Sequence, residues 1–155
     1  MGLKENLASE PVRRLNLRPA VIVPPDATVR DGVIAMRNAH LGCVVIAGDD
    51  HKPIGMFTEG ILRQLLAHDP AALDAPIGDR AAHKFPWVSL DDPIQTVLDA
   101  MQANNTRFIC VVDADGRVCA LTGQKGLMEY VAEHFPRQVM VQRVGSPYAR
   151  QREGA

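Results

Sequence analysis

The sequence predicts an α/β fold built from two β-α-β-β-α repeats packed with pseudo-twofold symmetry. Three observations predict it. A shift of about 65 residues brings the halves of the chain into register. Each half carries a continuous apolar run of strand length. Each half also places a helical stripe of apolar residues ahead of that run.

The duplication starts at matching lead-ins. PVRRLNLRPAVIVPPDATVRDGVIAM, from Pro11, lies over PIGDRAAHKFPWVSLDDPIQTVLDAM, from Pro76, so that Val23 meets Val88 and Met36 meets Met101. Identities are few, but the residue classes agree along the segment. Dropping one residue in a turn then lays GMFTEG over CALTGQ and pairs Thr58 with Thr122.

The elements follow in the same order in both copies. A short strand is expected over 21–23 and again over 87–88. Asp26 and Thr28 signal the start of a helix in the first copy, and Asp92 before Pro93 does so in the second. Val29, Val33 and Met36 make one apolar stripe, and Ile94, Val97, Leu98 and Met101 make the other, at offsets that share a helical face. The densest β-formers come next, over 43–47 and 108–112, and suit strands buried on both faces. Turns containing Asp49-Asp50 and Asp115-Gly116 lead to return strands over 54–58 and 118–122. A closing helix starts after each Thr. The expected organisation is an extension over 1–10, a first repeat over 11–69, a linker over 70–75, a second repeat over 76–135 and a tail over 136–155. One such unit buries too little surface to be secure alone, whereas two share a core and leave a cleft along their axis.

Composition narrows the function classes. Of 155 residues, 46% are apolar and 23% charged, the balance of a globular chain. A formal net charge of −1 gives no overall attraction to nucleic acid or anionic lipid, so neither is expected as a partner. No transmembrane run or signal-peptide core is visible, and a cytoplasmic location is the expectation. Cys43, Cys110 and Cys119 are then reduced, and they read as small buried side chains. Asp113-Ala-Asp-Gly116 opens like a calcium loop, but Arg117 and Gln124 fall where ligand oxygens belong, so it reads as a turn. The five histidines show no metal-ligand spacing, and no metal site is expected. No phosphate loop, nucleophile elbow or other catalytic motif is present, so no catalytic residue is assigned.

The paired lead-ins, the Asp-containing turns before Met-bearing helices, and the GMFTEG and CALTGQ segments together resemble a tandem pair of CBS domains, the regulatory modules named after cystathionine β-synthase. The resemblance covers about residues 11–135. It implies a stand-alone, non-catalytic module that senses a ligand and signals to a protein partner, as a homodimer formed through its helices. Ile61, Leu62, Leu65 and Leu66, with Tyr130 and Val131, are the candidate dimer contacts, or else parts of each copy's own core. No cofactor is required, but the likeness implies an adenosine-type ligand such as AMP, ATP or S-adenosylmethionine in the cleft. The family signature is Gly, two apolar residues, Thr or Ser, two free positions, then Asp, whose carboxylate takes both ribose hydroxyls.

Thr58 and Thr122 match the hydroxyl position, but Ile61 and Lys125 stand where Asp is expected. Loss of that anchor weakens a nucleoside by roughly ten- to a hundredfold. Lys125, Arg107 and Thr122 instead offer positive charge for phosphate or another anion, if they are not simply solvated. Ala20, Val21, Phe85 and Pro86 fall where the family frames the base, with plain core packing as the alternative. A second class of function stays open: a constitutive dimerisation or interaction module whose ligand sites have degenerated.

Overall fold

The two continuous apolar runs become the central strands of two sheets. The structure is a computed structural model and describes residues 2–135; the tail expected over 136–155 lies outside them. In the first repeat β1 (Ile22–Val23) pairs in parallel with β2 (Cys43–Ala47), which pairs antiparallel with β3 (Pro53–Thr58). The second repeat copies this with β4 (Trp87–Ser89), β5 (Phe108–Val112) and β6 (Val118–Gly123). The sheets are separate, each of three strands.

Strand alternation gives each sheet two buried faces. Val44, Ile46 and Phe57 face the first repeat's helices, α2 (Val29–Ala39) and α3 (Glu59–His68). Ile109, Val111 and Ala120 do the same toward α4 (Ile94–Asn104) and α5 (Gln124–His134). The alternate residues, Cys43, Val45 and Met56 with Cys110, Val112 and Leu121, form a third core between the repeats. All-apolar strand runs are therefore required, because both faces are covered.

The helix ends are set by local chemistry. Thr28 caps α2 in a capping box: its Oγ1 accepts from the Asp31 N–H at 3.1 Å, and the Asp31 carboxylate accepts from the Thr28 N–H at 3.2 Å. Asp92 does not cap α4, contrary to the sequence expectation. Its carboxylate accepts from the Ser89 N–H at 2.8 Å and closes the turn ahead of the helix, where Pro93 takes the cap position. His40 and Asn105 end α2 and α4 in the left-handed conformation, at equivalent places.

The register corrects the alignment of the repeats. Cys43 pairs with Thr58 and Phe108 pairs with Gly123; both ladders carry an irregularity at the same place, between Ile46 and Ala47 and between Val111 and Val112. No residue is dropped between the copies. The structural counterpart of Thr58 is Gly123, and that of Thr122 is Phe57. The misreading has a local cause: each segment carries one Thr, at 58 and at 122, and matching the two by identity shifts the copies by one residue from their common register. Cys119 is a second correction, for it is exposed, whereas Cys43 and Cys110 are fully buried.

The lead-ins cross between repeats. Val12 and Leu15, in the lead-in of the first repeat, are buried with Val88, Ile94 and Val97 of the second. Ile77 and Ala81 are buried with Val23, Val29 and Met36 of the first. Matching backbone bonds fix the exchange: the Val12 N–H donates to Asp92 O at 2.8 Å and the Ile77 N–H to Ala27 O at 2.7 Å. A short helix, α1 (Leu3–Ser9), lies ahead of the first lead-in and packs Leu3 and Leu7 on the second core.

Candidate functional site

Because the first lead-in crosses over, residues from both repeats surround the start of α5. Arg18 and Leu121 exchange backbone hydrogen bonds at 3.0 and 2.8 Å, which adds a short rung to the free edge of β6. The Asn16 amide donates to the Glu129 carboxylate of α5 at 3.1 Å. Between β6 and α5 stands Gly123, at φ 153° and ψ −147°, a region open essentially to glycine. A β-carbon there would run into the Arg107 carbonyl. Glycine thus lets the strand-to-helix turn lie directly against the backbone of Arg107.

The result is a cleft with two parts. An inner chamber of about 50 Å³ is lined by apolar Leu41, Phe108 and Leu121, with Thr122 and Gly126 also at its wall. A broader mouth of about 330 Å³ adds His40, Glu59 and Met128. Arg18, Arg107 and Lys125 line both parts. None of these three cations makes an ion pair within 4.0 Å among the described residues, where the pairs are Arg13–Asp91, Arg14–Glu10, Arg30–Asp74 and Arg80–Asp69. Glu59 is the one carboxylate lining the cleft. The first turn of α5 holds no acidic residue, so its partial positive charge adds to theirs.

The hydroxyl of Thr122 is the other polar feature. Thr122 is only 7% exposed, and its Oγ1 has no hydrogen-bond partner among the described residues. A buried hydroxyl left this way costs about 1–3 kcal/mol. Gly126 makes room for it, since a β-carbon at that position would lie 2.7 Å from Oγ1.

The structure brings together Thr122, Lys125 and Arg107 of the residues expected from the sequence. It does not bring the others to this cleft. Thr58 caps α3, accepting from the Ile61 N–H at 3.3 Å. Ala20 and Phe85 pack against the core between the sheets, Val21 packs against the first repeat's core, and Pro86 is half-buried. Arg18 and Asn16 escaped sequence reasoning, because they belong to the lead-in of the first repeat and serve the second. Corrected for register, the signature positions of the second repeat are Ala120, Gly123 and Gly126, and Lys125 lies one residue before the place of the family's Asp.

Comparison with known proteins agrees with this architecture. The sequence profile of the CBS domain matches residues 12–68 and 77–133, most of the chain. The chain belongs to the CBS-domain family. Among solved structures, this CBS pair is similar to a CBS-domain protein of Agrobacterium tumefaciens, with a TM-score of 0.68 and 19% identity over 77% of this chain and 97% of that one. It is also similar to a CBS domain protein from Pyrobaculum aerophilum complexed with AMP, with a TM-score of 0.69 and 22% identity over 88% of this chain and 99% of that one. At such identities the likeness shows the fold. An uncharacterized protein of Chlamydia muridarum is 29% identical over 103 residues, which are 63% of this chain but 31% of the relative. This chain therefore spans about a third of that protein's length. Tandem CBS domains are typically ligand-binding regulatory modules. Among the described residues no helix is long and apolar enough to cross a membrane, and no group of three His, Cys, Asp or Glu side chains is placed to hold a metal.

Proposed function

We propose that this CBS pair is a non-catalytic sensor that binds an anionic, nucleotide-like ligand in the second-repeat cleft and signals its presence to a protein partner. The observation that carries the reading is the meeting of Arg18, Arg107 and Lys125 over an apolar chamber that holds the unpartnered Thr122 hydroxyl. Cations at the mouth suit a phosphate, and the apolar chamber suits the edge of a flat ring. The AMP complex of the Pyrobaculum aerophilum protein supports an adenine nucleotide as the first compound to try.

The same geometry offers a route for the signal. A ligand in the cleft touches Arg18 from the first lead-in and Lys125 from α5, so occupancy favours one placement of the lead-in against the second repeat. Ile34 and Leu66, both exposed on helices of the first repeat, support a helix-mediated homodimer as the state that displays the change. Leu65 and Tyr130, by contrast, are buried in their own repeats' cores, with Ile61 and Leu62 packed against the first.

Thermal unfolding tests the proposal. Ligand at a hundredfold excess over its Kd stabilises by about 2.7 kcal/mol, which raises the Tm of a domain this size by roughly 5–10 °C. AMP, ADP, ATP or S-adenosylmethionine should give such a rise in the wild-type protein, reduced in Lys125→Ala by a loss of affinity of about tenfold. A second reading, a constitutive dimerisation module, is favoured by one observation: neither repeat places a carboxylate at the family's ribose position, where Ile61 and Gly126 stand. A stable dimer whose Tm responds to none of these compounds would establish it.

A further inference from the structure

We infer that each chain holds one ligand, in the second repeat, and that the first repeat's equivalent place is filled by its own side chains. The inference rests on the anion-sensing reading above and concerns how the duplicated copies divide the work.

The corrected register sets three pairs of positions against each other: Phe57 with Thr122, Thr58 with Gly123, and Ile61 with Gly126. In the first repeat all three carry side chains that are already used. Phe57 is fully buried, Ile61 packs against the same core, and the Thr58 hydroxyl is committed to the α3 cap. In the second repeat a phenyl ring becomes a small hydroxyl and two side chains become glycine. The inner chamber lies against those three residues, Thr122, Gly123 and Gly126. It lies where the first copy places the Phe57 ring and the Ile61 side chain.

Charge divides the copies in the same way. The counterparts of Arg107 and Lys125 are Gly42 and Gly60, and that of Arg18 is His83, whose Nδ1 lies 3.2 Å from Ile54 O. Glu59, in the first turn of α3, disfavours an anion at that helix end, whereas at the mouth of the second-repeat cleft the same carboxylate stands among three cations. At the positions equivalent to Thr122, Gly126, Arg107 and Lys125 the first repeat has neither the hollow nor the cations of the second. It acts as scaffold and lends Arg18 to the copy that binds.

Isothermal titration of the full chain with AMP, and separately with inorganic pyrophosphate, tests the division. The result expected is one ligand per chain, with affinity falling at least about tenfold in Lys125→Glu and unchanged in Arg63→Glu. Arg63 is the cation beside Gly60 on α3, and both substituted side chains are exposed, so the folded state should tolerate either change. Two ligands per chain, or one that survives Lys125→Glu and is lost in Arg63→Glu, would overturn the division while leaving the sensor reading intact. Absence of binding by either probe would remove both.

Discussion

Gly123 shows how much one residue decides at this site. Its φ of 153° and its closeness to the Arg107 carbonyl leave no room for a side chain. Gly123→Ala is expected to cost about 3 kcal/mol through backbone strain and displacement of the β5 start, measurable as a lower urea midpoint at unchanged slope. The cysteines make a second prediction at this scale. Burial, helped by the neighbouring thiol, pushes Cys43 and Cys110 up to about 12 from an ordinary 9.0. Folded-state values raised in this direction favour the protonated thiol. The stability they confer is complete below pH 9 and is lost as pH climbs toward 12. At pH 8 a disulfide reagent should therefore modify one thiol per native chain, the exposed Cys119, and all three only after denaturation. Rapid reaction of three in the native protein would contradict the buried placement. Lys125, Arg107 and Thr122 were legible as a group because they flank one strand pair. Thr58 was paired with Thr122 because their identity outweighed the strand register, which sets Thr58 against Gly123.

At the scale of elements the exchanged lead-ins matter most. The sequence shows two matching segments, at Pro11 and Pro76, but nothing local says that each packs on the other repeat. Local patterns report which face of an element is apolar; they do not report which core receives it. The succession of elements along the chain, the helix positions and the buried central strands were all readable, since period and run length encode them. The exchange predicts that neither repeat completes its core alone. Ile77→Ala, which removes a fully buried side chain from the first core, should cost about 3 kcal/mol, and Val12→Ala in the second about 2 kcal/mol. Each variant should still unfold in one cooperative step. Two separated transitions in either would show that the repeats are independent units.

For the molecule as a whole, duplication supplies a symmetric frame and sequence divergence breaks its symmetry. Two sheets with the same order and the same bulge pack against each other through one shared core. Across that frame the side chains differ where function would lie: packed at Phe57 and Ile61, hollow and ringed by cations at Thr122 and Gly126. Hydrogen exchange by mass spectrometry, with and without AMP at saturating concentration, examines the central claim most directly. Slower exchange is expected at residues 16–18, 107–108 and 121–126, with little change at residues 56–61. Protection centred on 56–61, or none anywhere, would contradict it.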